Sequence, residues 1–152
     1  MNRKEAEKAA RERAIFHDFI KKKPGSRIKP ESVESRCTPE PDILCSQENE
    51  GNVAFELVEI CDPDIARIIA QGGGFVGWTS DPTQNEIRKK LKKNYQTEYP
   101  VELLCYTDGK TVSWDELIKE EIQILIDMVD NGQFRRIWLL GDQCHLVFEA
   151  PS

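Results

Sequence analysis

Residues 41–60 have the sequence PDILCSQENEGNVAFELVEI and decide the architecture of this 152-residue chain. The runs 41–45 and 53–60 are rich in branched and aromatic residues, and the polar turn between them contains Gly51. Two such runs joined by a short turn predict an antiparallel β-hairpin.

Helical and strand-like patterns alternate on both sides of the hairpin. Helices are predicted at 3–22, 63–71, 82–95 and after the capping box Ser113-Trp114-Asp115-Glu116, and strands at 101–106, 134–140 and 144–148. With one further short strand before Pro41, the order α-β-β-α-α-β-α-β-β predicts an α/β fold. We expect a single mixed β-sheet flanked by helices, in one domain that spans residues 1–152.

The composition is that of a globular protein with a polar surface, because 39% of the residues are hydrophobic and 32% are charged. No stretch approaches the roughly 18 apolar residues of a membrane-spanning helix. The first residues are charged rather than apolar, so we expect a cytoplasmic protein with no membrane partner. The five cysteines include no C-x-x-C pair. They are predicted to be reduced structural thiols rather than zinc ligands or disulfides.

Charge is distributed unevenly along the chain. The net charge is -6, yet residues 1–29 carry +6 and residues 84–94 carry +4, which leaves -16 on the remainder. The negative total argues against a general nucleic-acid coat protein. An enzyme with one basic face and an acidic, metal-binding interior remains open. Each basic run, taken alone, also fits a solvated helix face.

Asp42 and Glu56 are the candidate chemical groups of the hairpin. They are fourteen positions apart on adjacent predicted strands, and neighbouring strands lie about 5 Å apart. A glutamate between Phe55 and Leu57 is costly to bury unless something pairs with it. Two converging carboxylates offer the oxygen ligands that Mg²⁺ prefers. The alternative is a structural Asp42 at a strand end and a Glu56 that points into water.

The segments Pro41-Asp42 and Glu56-Leu57-Val58, with a helix before them and a helix and strand after them, resemble the PD-(D/E)XK nucleases of the restriction-endonuclease-like superfamily. The resemblance implies a core of helix, hairpin, crossover helix and fourth strand. It also implies that Asp42, Glu56 and the backbone carbonyl of Leu57 hold Mg²⁺ or Mn²⁺. In this family the metal activates a water molecule for phosphodiester hydrolysis.

The third position of the motif departs from the family, which usually has lysine where this chain has Val58. Some members supply the lysine from the following helix, and here Lys90 or Lys93 would replace it. Lys90 follows Glu86 by four residues, so a simple surface ion pair is an alternative. Some members also contribute an acid from the first helix. We interpret Glu12 at that place as a solvated helix acid.

The resemblance further implies a nucleic-acid partner, DNA in the first instance, bound through its phosphates by Arg11, Arg13 and Lys89. Binding of this kind weakens with salt and carries little base specificity. A homodimer is left open. Two alternatives to a nuclease also remain: a catalytically inactive nuclease-fold protein that acts in interaction or assembly, and an unrelated small α/β binding module.

Other motifs give weaker signals. Residues 72–77 formally satisfy G-x-G-x-x-G but follow a helical pattern, whereas a dinucleotide-binding loop follows a strand. His17 and His145 have no apparent nucleophile partner. His145 is expected to be packed or exposed rather than catalytic. Trp138 lies in an apolar run and is predicted to be part of the core.

Overall fold

A computed structural model of the chain describes residues 2–23, 25–60, 82–107 and 115–151. The predicted helix at 63–71, the glycine motif at 72–77 and the capping residue Ser113 lie outside these ranges.

The described helices and strands follow the predicted order closely. The helices are α1 (Arg3–Lys22), α2 (Pro82–Lys92) and α3 (Asp115–Val129), and a short 3-10 helix covers Pro30–Ser32. The strands are β1 (Glu34–Ser35), β2 (Ile43–Gln47), β3 (Gly51–Glu59), β4 (Val101–Tyr106), β5 (Phe134–Leu140) and β6 (Cys144–Glu149).

These strands form one six-stranded sheet in the order β1-β2-β3-β4-β5-β6. The hairpin strands β2 and β3 are antiparallel, with Ile43 opposite Phe55 and Gln47 opposite Gly51. Strands β3, β4 and β5 are mutually parallel, while β1 and β6 pair in the antiparallel sense with β2 and β5. The mixed sheet confirms the predicted α/β class and the predicted hairpin.

Helices cover both faces of this sheet. On one face α1 places Phe16 and Phe19 against Phe55 and Leu57 of β3. On the other face the apolar stripes of α2 and α3 cover Val58, the next residue of β3. Side chains therefore alternate between the two faces along β3. Glu56 and Val58 share the face that α2 covers.

Helix α1 begins and ends as predicted. Asn2 caps it, with its side-chain oxygen accepting a hydrogen bond of 2.9 Å from the Glu5 backbone N–H, and Lys21 and Lys22 occupy the last turn. Cations at this end complement the helix dipole. No helix within the described ranges is both long and apolar enough to cross a membrane.

The prediction that the helix at 82–95 includes Tyr95 is wrong, because α2 ends at Lys92. The Tyr95 backbone N–H donates to Gln133 Oε1 at 2.9 Å rather than continuing the helical pattern. The carbonyl oxygen of Leu91 lies against Gly132, where a Cβ atom would come within 2.0 Å of it. The turn before β5 thus closes on the end of α2, a tertiary contact that four-residue spacing does not reveal.

The cysteines within the described ranges, at positions 37, 45, 105 and 144, carry free thiols. Cys45 and Cys105 are buried, and burial raises the pKa of each thiol to about 12. Both therefore remain protonated at neutral pH and act as small apolar side chains.

Candidate active site

Asp42 and Glu56 converge at the point where β2 begins. The backbone N–H of Asp42 donates to Glu56 Oε1 at 3.0 Å, and the N–H of Leu57 donates to Asp42 Oδ2 at 3.0 Å. Each acid is thus held by the strand that carries the other. Glu56 is only 2% exposed, so the alternative in which it points into water is wrong.

Lys90 of α2 completes the cluster. Its Nζ atom lies 2.7 Å from Glu56 Oε2, with 24% of the lysine side chain and 3% of the glutamate side chain exposed. Burial alone lowers the pKa of Lys90, but the hydrogen bond and charge of Glu56, together with the charge of Asp42, outweigh it and raise the pKa. Lys90 is therefore a charged ammonium group facing two acids.

The neighbouring lysines of α2 lie elsewhere. Lys93 follows the helix and is exposed, with its Nζ atom 5.2 Å from the ring centroid of Tyr95. Lys89 forms a surface ion pair of 3.3 Å with Glu86. Of the two predicted replacements for the missing lysine, Lys90 lies at the carboxylates and Lys93 does not. The alternative for Lys90, a surface ion pair with Glu86, is wrong, because Lys90 pairs with Glu56 and Glu86 pairs with Lys89.

Glu12 lies beside this cluster, so its interpretation as a solvated helix acid is wrong. It is 8% exposed, because it shares the sheet-facing stripe of α1 with Ala9 and Phe16. Burial and the charge of Asp42 raise the pKa of Glu12 to about 7, opposed by Lys8, whose Nζ atom lies 3.9 Å away. Charge repulsion among acids is therefore part of the site.

The predicted phosphate-binding residues lie outside the cluster. Arg11 is exposed on α1, and Arg13 donates to Ser35 Oγ at 2.6 Å, which ties α1 to β1. Lys89 is occupied by its surface ion pair.

A cleft of about 360 Å³ opens beside Glu12 and Asp42. Its walls include Lys8 and Glu12 of α1 and Arg36, Thr38 and Asp42 of the segment that faces it. The Arg36 guanidinium is held by Glu34 and Glu40. The cleft thus contains two cations, Lys8 and Arg36, as well as Asp42. The sequence analysis had singled out neither cation.

The donor chemistry of the cluster fits a hard divalent cation, although no three His, Cys, Asp or Glu side chains within the described ranges form a ready metal-binding group. Mg²⁺ commonly keeps several waters and uses only one or two carboxylates. Burial and the charge of Asp42 raise the pKa of Glu56 as well as that of Glu12. A cation would relieve this repulsion. The Leu57 carbonyl faces the same strand edge as its N–H, which donates to Asp42.

Tyr95 is a further member of the site that sequence analysis missed. It is 5% exposed, and its hydroxyl lies 3.5 Å from the Lys90 carbonyl oxygen. Burial and the nearby Glu56 raise the pKa of the phenol well above its usual range. The only signal in the sequence was its four-residue spacing from Leu91, which suggested a core position on a helix.

His145 belongs to a separate cluster. Its Nε2 atom lies 2.9 Å from Asp115 Oδ2, and Asp115 also accepts the backbone N–H groups of Asp142 and Gln143. These contacts fasten the β5–β6 turn to the first turn of α3. The sequence analysis expected His145 to be packed or exposed, and it is half-buried in this contact.

Comparison with known proteins adds no relative, since no protein-family model, curated protein or solved structure matches this chain.

Proposed function

We propose that the chain is a divalent-metal-dependent nuclease of the restriction-endonuclease-like fold, which hydrolyses phosphodiester bonds in nucleic acid. The observation that carries this proposal is the 2.7 Å contact of Lys90 Nζ with Glu56 Oε2, next to Asp42. Two acids and a lysine form one cluster, and the lysine comes from α2 where the strand position holds Val58. The helix–hairpin–helix–strand order supports the same proposal.

Asp42 and Glu56, with the Leu57 carbonyl, are the residues that would hold Mg²⁺ or Mn²⁺. When bound, such a cation lowers the pKa of a coordinated water and neutralises charge on the scissile phosphate. Glu12 lies close enough to influence the charge of these acids. Lys90 places a fixed positive charge at the site, where negative charge builds up on the phosphate during hydrolysis.

Substrate would approach along the cleft that contains Lys8 and Arg36. Lys8 is the more available cation, because 60% of its side chain is exposed while Arg36 is held by two glutamates. Contacts of this kind go to phosphates and carry no base sequence. Cleavage should therefore show little sequence preference, and binding should weaken with salt.

The test is cleavage of end-labelled single-stranded and duplex DNA, with RNA as a further substrate, in Mg²⁺ or Mn²⁺ and in EDTA. We expect cleavage that EDTA abolishes and that falls about 100-fold or more in Asp42→Asn and Lys90→Met. Lys22→Met, which changes a lysine paired with Asp18 on α1, is the control and should cleave like wild type. Cleavage by Asp42→Asn and Lys90→Met at the wild-type rate, or no cleavage of any substrate, contradicts the proposal.

A second candidate function is a catalytically inactive nuclease-fold protein that acts in interaction or assembly. It is favoured by the hydrogen bonds that already occupy both Glu56 oxygens, one from the Asp42 N–H and one from Lys90. A Glu56 carboxylate whose two oxygens already accept hydrogen bonds needs no cation. This candidate predicts no cleavage and no Mn²⁺ binding, while Lys90→Met still lowers stability.

A further inference from the structure

Tyr95 occupies the place where the chain leaves α2 and passes the Lys90–Glu56 pair. Its hydroxyl lies 3.5 Å from the carbonyl oxygen of Lys90, which also accepts the Lys93 N–H at 3.4 Å. Lys90 belongs to the last turn of α2, where carbonyl groups lack partners within the helix. The phenol therefore caps the same residue whose ammonium group contacts Glu56.

Tyr95 is itself anchored from two sides. The Gln133 side chain pairs with its backbone, accepting from the Tyr95 N–H at 2.9 Å and donating to the Tyr95 carbonyl at 3.2 Å. Its ring packs on Phe134, with the centroids 5.6 Å apart and the planes at 50°. Gln133 directly precedes β5 and Phe134 is its first residue. These contacts therefore fix the position of the phenol relative to the sheet and not to α2 alone.

We propose that Tyr95 is a positioning residue, whose hydroxyl holds the end of α2 so that the Lys90 ammonium group stays on Glu56. The catalytic meaning of this role rests on the proposed nuclease function. Loss of the hydroxyl leaves the ring, its packing on Phe134 and the Gln133 pairing in place. Lys90 then gains freedom at the end of the helix, and the fold remains intact.

Tyr95→Phe tests this role, with Tyr99→Phe as the matched control because it makes the same chemical change four residues later. The first measurement is hydrogen exchange of the Lys90 ammonium group, followed by NMR on protein with labelled lysine in metal-free buffer. We expect exchange about tenfold faster in Tyr95→Phe and unchanged in Tyr99→Phe. Gln133→Leu, which removes both anchoring hydrogen bonds, should accelerate Lys90 exchange in the same direction.

The second measurement is steady-state hydrolysis under the conditions of the nuclease assay. Tyr95→Phe should lower kcat about tenfold and leave KM unchanged, because Tyr95 is not among the residues that line the Lys8 cleft. Equal Lys90 exchange in wild type and Tyr95→Phe overturns the positioning role, as does an unchanged kcat. If the wild type does not cleave, the nuclease proposal fails, and the exchange rates alone decide whether Tyr95 positions Lys90.

Discussion

Lys90 and Glu56 lie 34 residues apart in the chain, yet the ammonium nitrogen of the first is 2.7 Å from a carboxylate oxygen of the second. Helix α2 delivers the lysine and β3 delivers the acid, on the face of the sheet whose apolar cluster α2 and α3 cover. This pair forms only because α2 packs against the sheet. Removing either group leaves the other as an unpaired buried charge, which lowers the stability of the protein.

Lys90→Met should therefore destabilise the protein by about 3 kcal/mol, because it leaves a buried carboxylate without its cation. The double variant Lys90→Met/Glu56→Gln should recover part of that loss, since no buried charge remains. Urea unfolding at pH 7 gives these free energies. Lys89→Met changes an exposed pair and should cost less than about 1 kcal/mol. If Lys90→Met and Lys89→Met lose the same free energy of unfolding, the buried pair contributes no more to stability than the exposed one.

Glu12→Gln should stabilise the metal-free protein at alkaline pH. The pKa of Glu12 is raised from 4.5 to about 7, so between these values the folded state keeps a proton that the unfolded chain has lost. Stability consequently falls as pH rises through this window. The variant should gain at most ~3 kcal/mol over wild type at pH 8 and almost nothing at pH 4.

Urea unfolding in EDTA across this pH range measures the effect of Glu12. Glu7→Gln is the control on the same helix, because Glu7 is exposed and pairs with the exposed Arg3. Its stability should follow that of wild type at every pH. A difference between Glu12→Gln and wild type that does not grow with pH would mean that burial and the charge of Asp42 do not raise the pKa of Glu12.

Gly132→Ala should destabilise the protein, because its added Cβ atom would displace the Leu91 carbonyl group at the end of α2. Gly132 has φ +61°, and a Cβ atom there would lie 2.0 Å from the Leu91 carbonyl oxygen. Gly25→Ala is a close control, because Gly25 has φ +62° and, beyond its chain neighbours, no atom of the described residues lies within 4 Å of its Cβ position. Both variants carry the cost of roughly 1 kcal/mol for an L-residue in this backbone conformation. Gly132→Ala should lose at least ~2 kcal/mol more, as for overpacking in a core, and equal thermal stability of the two would refute the close contact.

The hairpin and its two acids could be predicted from the sequence because they depend on local pattern. Alternation along β3 assigns Glu56 and Val58 to one face, and a short turn fixes which strand pairs with it. Asp42 then has to lie near Glu56, whatever else the chain does. Periodicity of this kind also set the bounds of α1 correctly.

The rest of the site depends on how helices dock, and local pattern does not specify docking. The sequence alone does not distinguish Lys89, Lys90 and Lys93 as candidate site residues. The rotation of α2 about its axis is what places Lys90 on Glu56. In the sequence, Glu12 cannot be distinguished from a surface acid. Its burial depends on the packing of α1 on β3. Tyr95 is held by the Gln133 side chain, a contact between segments 38 residues apart that leaves no repeated pattern.

Asp115→Asn should weaken the fastening of the β5–β6 turn to α3. Burial acts to raise the pKa of Asp115, but hydrogen bonds from the Gln143 and Asp142 backbone and from His145 outweigh it and lower the pKa below 3.8. The stabilisation is thus complete above pH 3.8 and is lost as pH falls through the lowered pKa. We expect a loss of about 1–3 kcal/mol at pH 7.

This difference between wild type and Asp115→Asn should shrink in acid, and unfolding followed by circular dichroism from pH 7 to pH 2 would show it. Glu116→Gln, at the next and exposed position of α3, serves as the control for the helix dipole and should cost less than about 1 kcal/mol. A difference that persists unchanged at the lowest pH would rule out the carboxylate as its source.

The most direct test of the proposed metal site is a calorimetric titration with Mn²⁺ of the wild type, Asp42→Asn and Glu56→Gln. Asp18→Asn, on the exposed side of α1, controls for nonspecific binding to surface acids. We predict saturable binding in the micromolar-to-millimolar range for wild type and Asp18→Asn, and its loss in Asp42→Asn and Glu56→Gln. Absence of binding in wild type, or equal binding in all four proteins, would contradict a metal site built on Asp42 and Glu56.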